Sequence, residues 1–336
     1  MSIYYRPLCQ TDHCRPDAAR WIAGGWVWFT HAERIERSKP SQIVPVEALP
    51  PVVLERLTEP RPAVAAMTLS QPRLMGILNV TPDSFSDGGQ FLDKEAAVGQ
   101  AIRMAATGAD IIDIGGESTR PGAEEVPREQ EIERTIPVIT AIHNETHIPI
   151  SIDTRKADVA FAAIKAGATM VNDVSALTYD TNLAKLTAEM GLPVCMMHAQ
   201  GDPATMQKEP RYENVLLDVY DYLAARIEVA VKAGLDRKSL VIDPGIGFGK
   251  TLDHNLTLLR NISLFHSLGC PILLGASRKR FIGTLGNVPE AANRMPGTIG
   301  VMLAAVAQGV QIHRVHDIEA SRQALTLWQA AAGTRQ

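Results

Sequence analysis

The stretch MGILNVTPDSFSDGG, residues 75–89, decides how this chain folds. Its first six residues form a mainly apolar run. The rest are mostly hydroxyl, carboxylate and glycine residues around a single aromatic side chain, Phe85. Near-continuous apolar runs are typical of strands in parallel sheets, which are covered on both faces. The stretch therefore predicts a buried strand that leads directly into a long polar loop.

The same alternation repeats toward the C-terminus. Helix-like segments separate the apolar runs, and three of them end at Gly108, Gly167 and Gly234, as helices commonly do. Eight strand–helix units in about 250 residues predict an α/β fold, a closed (β/α)8 TIM barrel, and favour it over an open doubly wound sheet. The predicted strands are MGILNV (75–80), IIDIGG (111–116), IPISID (148–153), TMVNDV (169–174), PVCMMH (193–198), LVIDPG (240–245), PILLGA (271–276) and IHRVHD (312–317).

Residues 1–70 differ from the rest of the chain. They contain three of the four tryptophans and no glycine loop or carboxylate cluster. WVWFTH (26–31) predicts a strand, and VPVEALPPVVLERL (44–57) predicts a strand followed by a short helix. Prolines at 60, 62 and 72 mark the boundary. We expect residues 1–70 to be a small N-terminal extension of unknown role, packed on a catalytic barrel of residues 71–336.

Composition excludes several classes of protein. Of 336 residues, 46% are hydrophobic and 21% charged, and the net charge of -4 gives no general attraction to nucleic acid or an anionic membrane. No apolar run approaches the ~20 residues of a membrane span. The first residues lack the basic-then-apolar pattern of a secretory signal. Four scattered cysteines favour a reduced, cytoplasmic chain, and Cys9 and Cys14 lack a second pair for a zinc site.

Polar residues recur where the predicted strands end. The carboxyl ends of barrel strands open on one face, which holds the active site. Any one polar residue there could simply cap a loop, but their recurrence around the whole rim predicts an active site. They are Asn79, Asp113 with Glu117, Asp153, Asn172 with Asp173, His198, Asp243, Ser277 with Lys279, and Arg314 with His316.

Several of these segments resemble the motifs of dihydropteroate synthases over about residues 74–330. MGILNVTPDSFSDGG and DIGGESTRPGA (113–123) are similar to the two long signatures of that family. Six shorter motifs follow in the family's order: SIDT, VNDVSAL, CMMHAQGDPATMQ, IDPGIGFGK, GASRKRFIG and IHRVHD. The first 70 residues have no counterpart in the shorter members of the family.

The resemblance implies an activity in folate biosynthesis. Such enzymes condense 6-hydroxymethyl-7,8-dihydropterin diphosphate with 4-aminobenzoate, use Mg²⁺, form homodimers through barrel helices and are inhibited by sulfonamides. The implied mechanism is dissociative, with loss of diphosphate before the aniline attacks. Two alternatives remain: a methyltetrahydrofolate methyltransferase, which shares the DPG and ND motifs but lacks both long loops, and a non-catalytic pterin-binding paralogue.

The chemistry of the substrates assigns roles to the rim residues. A buried carboxylate suits the ring N–H and exocyclic amine of a pterin, and Asp243 is the best candidate for it. Asn172 can both donate and accept, Lys279 can reach the ring carbonyl, and Arg314 can stack on the heterocycle. The family resemblance adds Asp153. We thus expect pterin contacts from Asp153, Asn172, Asp243, Lys279 and Arg314, with Lys279, Asp153 and Arg314 also catalytic.

The remaining assignments concern the diphosphate and 4-aminobenzoate. A diphosphate requires cations and a metal, and the expected set is Asn79 with Mg²⁺, Thr119, Arg120, Arg314 and His316. GIGFGK (245–250) lacks the spacing of a P-loop, so we interpret its glycines as allowing close backbone approach. The loops after the first two strands predict mobile lids that exclude water. For 4-aminobenzoate we expect Phe85, Thr119, Pro121, Ser277 and Lys279.

Overall fold

The computed structural model describes residues 2–81, 90–118, 125–201 and 210–333. Its N-terminal part has an antiparallel sheet of three strands with β4 in the centre, a two-stranded pair of β2 and β3, and one helix. The predicted strand, strand and helix of this part are confirmed in outline. The elements are β1 (Ile3–Pro7), β2 (Arg20–Trp21), β3 (Trp28–Phe29), β4 (His31–Glu36), β5 (Gln42–Pro45) and α1 (Pro51–Thr58).

The following part alternates strands and helices. Each predicted apolar run overlaps one strand. The first strand begins two residues before its run, and the other seven are one to four residues shorter than theirs because several runs continue into the loops. The elements are β6 (Arg73–Asn79), α2 (Gln90–Ala106), β7 (Ile111–Gly115), α3 (Arg128–Glu145), β8 (Ile150–Asp153), α4 (Ala157–Ala166), β9 (Met170–Asp173), α5 (Asn182–Met190), β10 (Val194–Met197), α6 (Val215–Lys232), β11 (Leu240–Asp243), α7 (Leu252–Arg260), β12 (Leu273–Leu274), α8 (Arg280–Gly286), α9 (Met295–Val306), β13 (Ile312–Val315) and α10 (Ile318–Ala331).

These eight strands, β6 to β13, form one parallel sheet that closes on itself. β6 to β11 pair in chain order, β13 pairs with β6, and β12 pairs with β13. A parallel bridge between Ile242 and Ile272 joins the two remaining edges. The predicted (β/α)8 barrel is therefore confirmed. Its helices end as expected, with Gly108, Gly167 and Gly234 at positive φ just beyond α2, α4 and α6.

A layer of apolar side chains fills the barrel near the amino ends of its strands. Chain segment 64–69 closes this end, because Val64, Met67 and Leu69 are buried against that layer. Val64 and Met67 pair across a tight turn in which Ala65 and Ala66 both have positive φ. The layer consists of Met75, Ile111, Met170, Cys195, Val241, Leu273 and Ile312.

The N-terminal part shares its core with the outside of the barrel. Phe29 is fully buried in the same apolar cluster as residues of the barrel strands and helices. The indole N–H of Trp26 donates to the carbonyl of Val306 at 2.9 Å, and the hydroxyl of Tyr4 donates to Asp221 on α6. No helix within the described ranges is long and apolar enough to cross a membrane.

Candidate active site

The register of β6 to β9 aligns four residues at the mouth of the barrel. Asn79 lies opposite Gly115, Gly115 opposite Asp153, and Asp153 opposite Asn172. Gly115 contributes no side chain to this row, and a Cβ at that position would lie 3.5 Å from the Cβ of Asp153. The row therefore brings three of the predicted site residues to one side of the mouth, with room between Asn79 and Asp153.

Arg314 joins this row to the other side of the barrel. From β13, its Nε donates to Asp113 Oδ2 at 2.6 Å and its Nη2 donates to Asp153 Oδ2 at 2.8 Å. The Nδ2 of Asn172 donates to the same oxygen of Asp113 at 3.0 Å. Asp113, Asp153 and Asn172 are all buried. Two carboxylates, one guanidinium and one amide thus form a single hydrogen-bonded cluster.

The charges in this cluster shift one another's pKa. Burial and the nearby Asp113 carboxylate raise the pKa of Asp153 to about 7, against the opposing effect of Arg314. Burial alone would lower the pKa of Arg314, but the carboxylates of Asp113 and Asp153 outweigh it and raise that pKa. The guanidinium therefore stays charged, and the raised pKa of Asp153 brings its titration near neutral pH.

Asp243, which is buried, and Lys279, which is half-buried, lie at the mouth on either side of the loop that follows β11. Asp243 ends β11, and its Oδ1 accepts the N–H of Gly245 at 2.7 Å. The ammonium of Lys279 donates to the carbonyl of Ile246 and lies 4.3 Å from the centre of the Phe248 ring. Burial raises the pKa of Asp243, which Lys279 opposes, and burial lowers the pKa of Lys279 to about 8.

Ser277 follows β12 and His316 follows β13, and their side chains are hydrogen-bonded to each other. The Oγ of Ser277 is 2.9 Å from the Nδ1 of His316 and also accepts the backbone N–H of that histidine at 3.2 Å. The intervening loop is fixed by Arg278, which has a φ of +57° and whose guanidinium donates to both carboxylate oxygens of Asp317. Two residues that we assigned to different substrates are therefore hydrogen-bonded to each other.

Not every polar residue at a strand end faces the mouth. The side chain of Glu117 bonds to the Val126 amide and to Arg155, and Asp173 accepts from Ser175 and from the Leu177 amide. Both therefore serve the loops that follow their strands. Four expected site residues, Phe85, Thr119, Arg120 and Pro121, lie outside the described residues.

Two residues of the site were missing from the predicted set. Asp113 was noted at a strand end but given no role, although it binds both Arg314 and Asn172. Lys250 was noted only as part of GIGFGK, yet its ammonium is buried beside the ring of His198. The signal for Asp113 was its position in the apolar strand, because a carboxylate within a buried strand requires a partner.

Asn79 is the residue that the sequence assigns to Mg²⁺. Asn79 is half-buried at the end of β6 and carries an amide oxygen. The described ranges contain no group of three or more His, Cys, Asp or Glu residues that could hold a metal. Mg²⁺ usually keeps several waters and binds through one or two protein oxygens together with substrate phosphates. Asn79 therefore fits this ion as one ligand among phosphate oxygens and waters.

The fold and the site together define a barrel enzyme whose mouth has carboxylates and cations for a polar substrate. A family model described as "Pterin binding enzyme" matches residues 75–316. A dihydropteroate synthase of Synechocystis is 46% identical over 250 residues, which cover 74% of this chain and 86% of that protein.

Two solved structures are similar over the same region. Dihydropteroate synthase of Xanthomonas albilineans with 4-aminobenzoic acid superposes with a TM-score of 0.75 at 46% identity, covering 79% of this chain and 94% of that one. The Yersinia pestis enzyme with a sulfonamide drug has a TM-score of 0.76 at 42% identity, covering 81% and 99%. This chain belongs to the pterin-binding enzymes and, among them, to the dihydropteroate synthase family. The predicted family is thus confirmed.

Proposed function

We propose that the mouth of the barrel binds 6-hydroxymethyl-7,8-dihydropterin diphosphate next to 4-aminobenzoate and condenses them to 7,8-dihydropteroate and diphosphate. The family membership supports this activity, as do the 4-aminobenzoic acid and the sulfonamide bound to the two similar enzymes. The observation that carries the proposal is the buried carboxylate of Asp243 and the ammonium of Lys279, both of which bond to the backbone of residues 245–246. Such a pair suits a flat heterocycle with donors on one edge and a carbonyl oxygen on another.

The pterin edge is assigned to Asp243 and Asn172. The Oδ2 of Asp243 lies beside Gly275, where even a Cβ would make only ordinary van der Waals contact with it, at 3.6 Å. A carboxylate accepts two neighbouring N–H groups in a charge-assisted, bidentate contact. Because the Nδ2 of Asn172 donates to Asp113, we assign the pterin contact of Asn172 to its carbonyl oxygen.

The pterin face is assigned to Arg314, with Lys279 and Asp153 at the edges. Two hydrogen bonds, to Asp113 and to Asp153, fix the plane of the Arg314 guanidinium. A fixed, charged plane stacks well on a flat ring. Lys279 supplies a compact positive charge to the ring carbonyl and N5. Asp153 completes the set as the second carboxylate in contact with the pterin.

The diphosphate is assigned to the rim above the pterin. The Nδ1 of His316 faces the Ser277 hydroxyl, so we assign its Nε2 to a phosphate oxygen. Asn79 would hold Mg²⁺, which disperses the negative charge that develops on the leaving diphosphate. The sequence assigns Thr119, Arg120 and Arg314 to the same group. The aniline slot consists of Phe85, Thr119, Pro121, Ser277 and Lys279.

The reaction follows from this arrangement. The bond between the pterin methylene carbon and the diphosphate oxygen breaks, and its electron pair leaves with diphosphate. The positive charge that remains is spread over the pterin ring, between the carboxylates of Asp243 and Asp153. The aniline nitrogen then bonds to the methylene carbon and loses a proton to the released diphosphate. Exclusion of water protects the cation from hydrolysis until the aniline attacks.

A single assay tests this proposal. Diphosphate release by the purified chain should require both the pterin diphosphate and 4-aminobenzoate. Release with the pterin diphosphate alone would indicate hydrolysis rather than condensation. Pterin binding without any release would identify a non-catalytic paralogue, and the proposed activity would have to be withdrawn.

Three further expectations belong to the same proposal. All four cysteines are free thiols, which supports a reducing, cytoplasmic location. Assembly as a homodimer through barrel helices follows from the family resemblance and is tested by sedimentation. We also propose that residues 1–70 stabilise the barrel and contribute no chemical group, because every residue assigned to the site comes after them.

A further inference from the structure

The loop between β11 and α7 contains a buried lysine that the proposed reaction does not use. Lys250 is only 3% exposed. Its Nζ is 2.9 Å from the Nδ1 of His198 and donates to the carbonyl oxygens of Phe248 at 3.0 Å and His198 at 3.4 Å. An ammonium has three N–H donors, and these three acceptors match them in number. Lys250 is thus directed toward protein atoms rather than toward a substrate.

The same loop lies directly on the end of β10. Gly245 has a φ of +68°, and a Cβ at that position would be 1.8 Å from the carbonyl oxygen of His198. Gly249 has a φ of +61°, and a Cβ there would be 2.5 Å from the carbonyl oxygen of Gln200. Only glycine permits both approaches. Lys250 spans this contact, because it bonds to the loop at Phe248 and to the strand end at His198.

Two of the groups that we assign to the pterin, Asp243 and Lys279, depend on this loop. The N–H of Gly245 binds the carboxylate of Asp243 at 2.7 Å. The carbonyl of Ile246 accepts from the ammonium of Lys279, and the ring of Phe248 lies beneath it at 4.3 Å. A shift of the loop would therefore move Asp243 and Lys279 together.

We propose that Lys250 is a positioning residue for the pterin site: by joining the loop to His198, it holds Asp243 and Lys279 in the arrangement that recognises the pterin. This inference rests on the proposed pterin-binding function. It also gives GIGFGK a role that a phosphate-binding loop would not have. The glycines let the loop approach β10, and the lysine fixes it there.

The test uses the full-length chain with Lys250→Met, which keeps most of the unbranched side chain and removes its donors. We expect pterin affinity, measured by calorimetry with the pterin alone, to fall by about 10-fold or more, since three hydrogen bonds to the loop and strand are lost. The KM for the pterin diphosphate should rise by a similar factor. The KM for 4-aminobenzoate, at saturating pterin diphosphate, should change less than twofold.

A pH titration separates positioning from loss of stability alone. Lys279, the N–H of Gly245, Lys250 and Arg314 all lower the pKa of Asp243 against the effect of burial. Burial also lowers the pKa of Lys250, so its charge acts on Asp243 most fully on the acid side of the titration. Removal of Lys250 should raise the pKa of Asp243, so the acid limb of pterin binding should move to higher pH in Lys250→Met. A protein that is only less stable would keep the limb where it is in the wild type.

Two further variants complete the test. His198→Phe keeps a ring against Tyr222 but removes the Nδ1 acceptor, and should weaken pterin binding in the same direction. Lys238→Met removes an exposed lysine at the other end of β11 and should bind the pterin as the wild type does. If Lys250→Met fails to fold, the pterin affinity of His198→Phe tests the positioning role instead.

The outcomes separate the positioning role of Lys250 from the proposed pterin-binding function. A folded Lys250→Met with wild-type pterin affinity and an unmoved acid limb would overturn the positioning role. If only His198→Phe folds, wild-type pterin affinity in that variant would overturn it. If Asp243→Asn still binds weakly in the same assay, the proposed pterin site itself stands. Failure of the wild-type chain to bind a pterin at all would instead contradict the proposed function.

Discussion

Asp243 is the side chain on which the proposed specificity most depends. Asp243→Asn keeps the shape of the side chain but presents an amide to the donor edge of the pterin. We expect a loss of roughly 2–3 kcal/mol, or about 30- to 150-fold in pterin affinity, because a charge-assisted hydrogen bond is lost and buried donors lack a good acceptor. Calorimetry with the pterin alone measures this loss. Asp253→Asn, at an exposed position on α7, is the matched control, and equal affinities in the two variants would contradict the assignment.

Asp153 should make stability depend on pH in an unusual direction. Its pKa is raised to about 7 in the folded chain, mainly by burial, against about 4 in an unfolded one. The folded state therefore holds more protons between these values, and this carboxyl contributes stability that is lost as the pH rises through 7. The free energy of unfolding of Asp153→Asn should fall less steeply from pH 5 to pH 8 than that of the wild type. If urea titrations show that the free energy of unfolding depends on pH equally in Asp153→Asn and the wild type, this prediction is wrong.

The cluster around Arg314 shows which residue-scale features a sequence reveals. Asp153, Asn172 and Arg314 were predicted because each lies at a strand end within a recognisable motif. The bond between Arg314 and Asp113 joins residues 201 positions apart. It forms because β13 pairs with β6 and β6 with β7, so closure of the barrel brings the two together. No local pattern in the sequence contains that information.

At the scale of the elements, the apolar runs predicted all eight strands because a strand covered on both faces needs apolar residues at nearly every position. The strand register was not predictable. It depends on how neighbouring strands slide to pack their side chains, and it places Asn79, Asp153 and Asn172 in one row. Strand length was also uncertain. PILLGA forms only the two-residue β12, since Gly275 begins the turn toward the site loop.

A buried ion cluster connects the loop that follows β7 to the start of α4. The ammonium of Lys156 donates to Glu131 Oε2 at 2.7 Å and to the carbonyl of Val126 at 2.6 Å, and it lies 3.4 Å from Glu117 Oε2. Both glutamates and the lysine are buried. The side chain of Glu117 also accepts the N–H of Val126, so both the N–H and the carbonyl of Val126, near the end of this loop, are hydrogen-bonded to the cluster.

Lys156→Met should therefore lower the free energy of unfolding by about 3–5 kcal/mol, because it leaves Glu131 buried without its cation and Glu117 paired with Arg155 alone. Lys156→Met combined with Glu131→Gln removes one of those charges and should recover a large part of the loss. Urea unfolding of both variants gives these values. Lys165→Met, at an exposed site on α4, serves as the control. A double variant no more stable than the single one would show that charge balance is not the cause.

At the scale of the whole molecule, the chain before β6 completes the barrel. Leu69 is buried with Val64 and Met67 against the apolar layer inside the barrel. Leu69→Ala should reduce the free energy of unfolding by about 2–5 kcal/mol through the cavity it leaves. Turnover well below the unfolding temperature should stay near that of the wild type, since no proposed chemical group lies in this segment. Ile43→Ala, at a position 69% exposed, is the control, and a folded but inactive Leu69→Ala would contradict the proposed role of residues 1–70.

The two substrates should bind in a fixed order. The predicted walls of the 4-aminobenzoate slot, Phe85, Thr119 and Pro121, belong to loop sequences rich in Gly, Pro and Ser. Ordering such segments costs about 1–2 kcal/mol per residue. Diphosphate and Mg²⁺ offset that cost if they bind Asn79 and Arg120, so the aniline should find its slot only after the diphosphate is in place. The coupling must be reciprocal at equilibrium.

Calorimetric titration of a sulfonamide, with and without diphosphate and Mg²⁺, measures this coupling directly. We expect strong binding only in the presence of diphosphate. Phe85→Leu should weaken the sulfonamide and 4-aminobenzoate while leaving affinity for a pterin alone nearly unchanged, because we assign pterin binding to Asp243 and Asn172, which are buried in β11 and β9. Equal sulfonamide affinity in the two titrations would mean that the slot exists before diphosphate binds. The segment TPDSFSDGG would then contribute an aromatic wall but would not control the order in which the substrates enter.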